Sequence, residues 1–175
     1  PYHGMILILT LFGPNRIRCF QKKICAVCLC AIFRTQNYPH FRLNIVVDAP
    51  ILLFGSTGQL GRELRQKLAG FADVVVPERK TVDFLNSESL KTVVRETAPS
   101  LIINAAAYTA VDMAEEDEGR AIAVNATAPG ILAAEAEHQD IPLIHFSTDF
   151  VFDGRADRPY LETDEVNPLN VYGRT

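Results

Sequence analysis

Residues 51–175 contain no cysteine, and no apolar run in the chain reaches the roughly 20 residues that a membrane-spanning helix needs. The first absence argues against a disulfide framework, because all four cysteines lie within the first fifty residues. The second argues against a spanning segment. Also missing are an internal repeat, a low-complexity tract and any cluster of basic residues. Scattered Lys and Arg on a chain of net charge −4 make a poor nucleic-acid surface, since phosphate neutralisation needs clustered cations. What remains is 48% apolar and 22% charged, with 10 Gly and 10 Pro in 175 residues. That is globular composition, enough for one domain with a core and a short appendage.

The averages hide a break near residue 50. Before it stand six Lys/Arg against one acid, Asp48; after it, eleven Lys/Arg against twenty acids. Lys22-Lys23 followed by the uncharged run Ile24–Phe33 imitates a signal peptide, but the run starts deep in the chain and no small-x-small cleavage site comes after it. Cys25, Cys28 and Cys30 form a C-x-x-C-x-C cluster with Cys19 upstream. A metal site would need a further paired ligand, and His40 belongs to no pair, so these read as apolar cysteines. The chain starts at Pro1 and not at Met. Residues 1–49 are therefore expected to be an extension unrelated to residues 50–175, on a chain processed or incomplete at its N-terminus.

From residue 50 the pattern is regular. Ile51-Leu52-Leu53-Phe54 reads as a strand buried on both faces, followed at once by Gly55-Ser56-Thr57-Gly58-Gln59-Leu60-Gly61. Leu60, Leu64 and Leu68 then recur every four residues, a helical stripe that stops at Gly70. Residues 73–76 predict a second strand, closed by Pro77. Asn86 or Ser87 predicts the cap of a helix ending before Pro99. Residues 101–104 predict a third strand. A helical stretch is expected over about 115–138, broken near 125–129, with the acids Glu115 to Glu118 in its first turn. Residues 142–146 predict a fourth strand. His138 fits a helix C-terminus and His145 a satisfied strand histidine. Strands alternating with helices, without hairpins, predict an α/β fold, a doubly wound parallel sheet.

A glycine turn between a buried strand and a helix lets a diphosphate approach the helix N-terminus, where free N–H groups and the helix dipole favour an anion. The spacing is G-x-x-G-x-x-G, with Gly55, Gly58 and Gly61. At the end of the second strand stands Pro77-Glu78-Arg79-Lys80: Arg79 or Lys80 suits the 2′-phosphate of NADP, Glu78 the ribose of NAD, and a solvated loop suits either sequence. Asp83 suits the adenine edge or the following helix N-terminus.

GSTGQLG at 55–61, NAAAYTAVDMAE at 104–115, STDFVFDG at 147–154 and PLNVYGRT at 168–175 together resemble the dTDP-4-dehydrorhamnose reductase family, extended short-chain dehydrogenase/reductases. The resemblance covers residues 50–175 and none of 1–49. It implies a Rossmann domain binding NADP or NAD, and a second lobe that closes over a dTDP-sugar. The implied reaction is hydride reduction of a C4 ketone in a cytoplasmic enzyme, compatible with a homodimer for the whole protein. Gly58, Gln59 and Leu60 would meet the cofactor diphosphate, Asp83 and Phe84 the adenine, and Ala107, Tyr108 and Thr109 the cleft beyond the third strand. Thr148 matches the hydroxyl that orients the substrate oxygen, Asp149 a residue against the sugar, and Tyr172 the proton donor and a cofactor contact. The family commonly has His at the position of Tyr108 and Tyr at that of Phe150. Its Lys four residues after the catalytic Tyr would fall beyond Thr175, as would the second lobe, so these residues alone are expected to turn over little or nothing. No ligand set here supports Mg²⁺. Taken singly, Tyr172 reads as a surface tyrosine, Thr148 as a strand-end residue and Asp149 as a turn former. The same motifs also suit a related nucleotide-sugar epimerase or dehydratase, or a non-catalytic subunit resembling the β subunit of methionine adenosyltransferase.

Overall fold

The computed structural model describes residues 7–11, 18–22, 49–161 and 163–175. Near the N-terminus β1 (Leu7–Leu11) pairs antiparallel with β2 (Arg18–Lys22), Leu9 opposite Phe20. Cys25, Cys28, Cys30, His40 and the signal-like run lie outside the described residues. Among the described residues no helix is long and apolar enough to cross a membrane.

The main body is a four-stranded parallel sheet in the order β4-β3-β5-β6, built from β3 (Ile51–Phe54), β4 (Val74–Val75), β5 (Leu101–Asn104) and β6 (Leu143–His145). Leu52 lies beside Ile102, and Ile102 beside Leu143. The predicted strands at 73–76 and 142–146 are shorter than expected. β4 is an edge strand ended before Pro77. Pro142 has no N–H to give a ladder, although its carbonyl accepts from Ile102 N at 3.0 Å.

Successive side chains of β3 and β5 enter opposite cores, because a strand alternates faces. Leu52, Phe54 and Ile102 pack with Leu90 and Val94 of α2 (Ser87–Thr97) and with Leu132 and Ala136 of α5 (Ala128–His138). Ile51, Leu53, Leu101 and Ile103 pack with Leu64 and Leu68 of α1 (Gln59–Leu68). Helices on both faces explain why both strands are apolar at nearly every position, without alternation. Asn86 caps α2 as expected, its Oδ1 accepting from Glu88 N and Ser89 N; Ala98, left-handed at φ 43°, ends it.

The stretch expected as one broken helix over 115–138 starts earlier and divides differently. It forms α3 (Val111–Glu116), α4 (Glu118–Ile122), a π-helical turn (Ala123–Thr127) and then α5. Asp117 leaves helical geometry and caps α4, accepting from Arg120 N at 3.2 Å. Pro129, in the first turn of α5, cannot donate to the carbonyl of Asn125, and the widened turn accommodates it without a sharp break. The acids at 115–118 are therefore not the first turn of one helix: Glu115 and Glu116 end α3, and only Glu118 opens α4.

Candidate functional site

The chain leaves β3 outward to β4 and then crosses back to β5, so the carboxyl ends of β3 and β5 part at a topological switch point. Gly55 begins the turn there with φ +76°, a conformation that side chains disfavour. A Cβ on Gly55 would stand 2.4 Å from the backbone of Ala105 and Ala106, and one on Gly61 would stand 2.1 Å from the Gly55 carbonyl oxygen. Those two glycines let turn, helix and neighbouring strand close together. Gly58 differs: its Cβ would lie an ordinary 3.4 Å from the same oxygen. Gly58 is the N-cap of α1 and no side chain caps that helix, which leaves first-turn N–H groups for a ligand anion.

Two clefts meet at this turn, sharing Gly58, Ala105 and Ala107. One, of about 380 Å³, runs along Gly55–Gly58, Pro77, Arg79, Asp83, Phe84 and Arg120. Phe84 is held edge-on against Phe54, ring centres 5.7 Å apart. Asp83 accepts from Leu85 N at 2.9 Å and gives its own N–H to Ser89 Oγ, so it bends the loop before α2 and does not cap that helix. The other cleft, of about 760 Å³, is lined by Gln59, Leu60, Thr109, Asn125, Ser147, Thr148 and Tyr172 among others. The turn, the loop after β5, the loop after β6 and the helix α6 (Val171–Arg174) thus all line the larger cleft, which adjoins the smaller one at the glycine turn.

Of the residues expected from sequence, Gly61, Tyr108 and Asp149 line neither cleft. Gly61 is a packing position. Tyr108 packs against the cluster of Ala114, Ala121 and Val171. Asp149 opens the 3₁₀ turn Asp149–Val151, beside the Thr148 hydroxyl that caps it. Thr148 Oγ1 accepts from Phe150 N at 3.2 Å and donates weakly to Asp149 Oδ1 at 3.3 Å, a bond that a ligand oxygen can replace. Tyr172 stands edge-on to Phe150 at 5.4 Å, and its hydroxyl has no hydrogen-bond partner among the described residues. Gly173 explains the Y-G pair: a Cβ there would lie 2.2 Å from the Phe150 carbonyl oxygen, so glycine lets α6 sit against the loop that carries Thr148.

Two positioning groups were not legible as such in the sequence. Glu115 Oε1 accepts from Val171 N at 2.7 Å, placing a carboxylate at the start of α6 from 56 residues away. Asn125, in the π turn, accepts from Tyr108 N at 2.7 Å and donates to Tyr108 O and to Thr175 Oγ1, both at 3.1 Å. Thr175 Oγ1 in turn donates to Tyr172 O. One amide therefore ties the loop after β5 to the helix that carries Tyr172. The only local signal was the Asn-to-Pro129 break. Asn104 Nδ2 lies 3.2 Å from His145 Nδ1, and burial holds the His145 pKa below the ordinary histidine value. It is a neutral strand histidine that also borders the larger cleft. Among the described residues no three His, Cys, Asp or Glu side chains gather as a metal site.

The segment between Phe152 and Asn167 is a self-packed surface loop whose ends meet through Asn167 N and the Val151 carbonyl at 2.9 Å. Phe152 stacks on Tyr160 at 4.2 Å. Asp153 accepts from Tyr160 Oη, Arg155 N and Asn167 Nδ2, and these bonds, the Tyr160 hydroxyl foremost, hold its pKa down at about 2. A depressed carboxylate stabilises above its ordinary value of 3.8 and ceases to do so as pH falls through its folded value. Tyr160→Phe keeps the ring stack and removes the strongest of these bonds. In a carboxyl NMR titration, Asp153 of the variant is expected to titrate back toward 3.8, while Asp164, held at about 2 by Arg158, stays put. An unmoved Asp153 would show that the hydroxyl is not its main partner.

An open parallel sheet covered on both faces, with a glycine turn into an uncapped helix at its switch point, defines a Rossmann-type dinucleotide-binding fold. The chain belongs to the RmlD substrate binding domain family, whose profile matches residues 49–175. It is 45% identical over 123 residues to a dTDP-4-dehydrorhamnose reductase of Burkholderia thailandensis, covering 70% of this chain and 41% of that protein. It is 45% identical over 129 residues to the Escherichia coli K12 protein of the same name, covering 71% and 43%. Among solved structures, the dTDP-4-dehydrorhamnose reductase of Bacillus anthracis in complex with NADP superposes with TM-score 0.69 at 33% identity, over 72% of this chain and 45% of that one. A Thermus thermophilus UDP-glucose 4-epimerase, 21% identical with TM-score 0.64 over 71% of this chain and 46% of that one, shares the fold. The chain spans about two-fifths of the length of the curated relatives it matches.

Proposed function

We propose that residues 50–175 form the NADP(H)-binding part of a reductase that converts the C4 ketone of dTDP-4-dehydro-L-rhamnose to the alcohol of dTDP-L-rhamnose, and that residues 1–49 are a separate extension. The observation that carries this reading is the single opening shared by the glycine turn and by Thr148 and Tyr172. The glycine turn and the free N–H groups of α1 take the diphosphate, and Phe84 offers an apolar edge to the adenine. The bound nicotinamide supplies the hydride that the ketone carbon accepts. Thr148 directs a hydrogen bond at the carbonyl oxygen, and the Tyr172 hydroxyl gives that oxygen its proton as the alcohol forms. Relatives bearing the reductase name at 45% identity, and one solved with NADP, support this choice among dinucleotide chemistries.

Nicotinamide fluorescence is a clean readout here, because the chain has no tryptophan whose emission would overlap the NADPH absorption band. Saturable NADPH binding is expected. With dTDP-4-dehydro-L-rhamnose present, Tyr172→Phe is expected to lower whatever turnover the chain supports by about 10²–10⁴-fold, in the range for loss of a general acid. NADPH affinity should fall far less than turnover, because the ring stays in the cleft beside the cofactor and the lost hydroxyl acts chiefly on the substrate oxygen. Absence of NADPH binding, or turnover that survives Tyr172→Phe, would overturn the proposal.

A further inference from the structure

We infer that Arg79 and Arg120 together read the 2′-phosphate of the cofactor and make this chain selective for NADPH over NADH; the inference rests on the dinucleotide reading above. Arg79 follows β4, and Arg120 comes from α4, 41 residues further on, yet both line the 380 Å³ cleft that also holds Asp83 and Phe84. Neither guanidinium has a carboxylate partner among the described residues, and unlike the equally unpaired Arg62, Arg65 and Arg155, both line this cleft. Unpaired guanidinium groups lining one cleft suit an anion, and their planar fork suits a phosphate dianion better than an ammonium does.

The alternative readers are accounted for by their contacts. Glu78, the acid that would favour a ribose 2′-hydroxyl, is bound to Lys80 at 2.7 Å, and neither borders the cleft. Their absence from the cleft wall, more than this weak exposed pair, sets aside both the NAD-type acid and the lysine that the sequence left as a rival to Arg79. Asp83 is the one carboxylate on the cleft wall, and its Oδ1 already accepts from Leu85 N. Two guanidinium groups against one carboxylate leave the lining of this cleft net positive, which favours a phosphate over a hydroxyl. Sequence reading reached Arg79 through its place after the second strand. It could not reach Arg120, which only the fold brings there.

The test is titration of the full chain with NADPH and NADH, and competition by 2′,5′-ADP against 5′-ADP. NADPH is expected to bind at least about tenfold tighter than NADH, as charge-assisted hydrogen bonds to a phosphate would give. Arg79→Ala and Arg120→Ala should each remove most of that preference and leave NADH affinity unchanged. Arg79→Lys should restore part of it, and Lys80→Ala should change nothing. Both arginines are exposed, so circular-dichroism melts should match the parent. Equal binding of the two nucleotides overturns the assignment alone, as does a preference that survives both arginine variants, is lost in only one of them, or is lost in Lys80→Ala. Binding of neither nucleotide overturns the assignment together with the dinucleotide reading.

Discussion

Gly61→Ala is expected to cost about 3 kcal/mol of stability or more, the upper range for a forced overpacking, and to weaken NADPH binding with it. The reason is where the methyl would go. It would meet the carbonyl oxygen of Gly55 at 2.1 Å and the Gly55 carbonyl carbon at 2.6 Å, backbone atoms that cannot rotate aside. α1 would have to lift from the turn, and Leu64 and Leu68 would lose their fit against Ile51 and Leu53. Gly55→Ala should be at least as damaging, since it adds a disfavoured positive φ to contacts of 2.4 Å. Gly58→Ala should behave differently. Its methyl finds ordinary contact distance, so the fold should survive within about 1 kcal/mol. It sits at the mouth of both clefts, so affinity for NADPH should fall while stability does not. Urea unfolding and nucleotide titration on the three variants separate these effects. Equal stability losses at Gly58 and Gly61 would refute the division of labour.

Ile102→Ala is the second large effect. Ile102 lies in the central strand between Leu52 and Leu143, fully buried, under both α2 and α5. Truncation removes three carbons from a site walled by two strands and two helices, which can collapse little, so a loss of about 3–5 kcal/mol is expected, near the top of the range for such changes. That is a large share of the roughly 5–15 kcal/mol that holds a domain together. The cleft lies at the strand ends, beyond the cavity, so the variant that stays folded should bind NADPH with nearly the parent affinity. A stability loss below about 1.5 kcal/mol in urea unfolding would mean that the cavity fills by rearrangement.

These two predictions draw on different levels of legibility. The strands at 51–54 and 101–104, α1 and the Asn86 cap of α2 stem from short-range features: an unbroken apolar run, a four-residue stripe, an amide before a helix. Each is decided by neighbours within a turn or a strand. The helix expected over 115–138 was misdivided because its acids looked like a first turn. In fact Asp117 interrupts the helix, and Glu115 serves a helix that lies far along the chain. The site divides in the same way. Thr148, Thr109, Gln59 and Tyr172 could be placed from their motifs, and the fold brings them to one opening. Tyr108 and Gly61 belong to the same motifs but serve packing, which a motif cannot distinguish from ligand contact.

By itself the sequence determined the alternation of strand and helix, the glycine turn into α1, and the residue types able to bind a dinucleotide and to protonate an oxygen. Those properties are local, set by backbone preference, apolar periodicity and side-chain chemistry. Tertiary structure alone decided that Asn125 ties Tyr108 to Thr175, that Glu115 meets Val171, that Arg120 and Arg79 line the same cleft, and that Gly61 is the glycine the fold needs where Gly58 is not. Each of these depends on which segments the parallel sheet brings together, because placements of segments tens of residues apart arise from packing and leave no period in the chain.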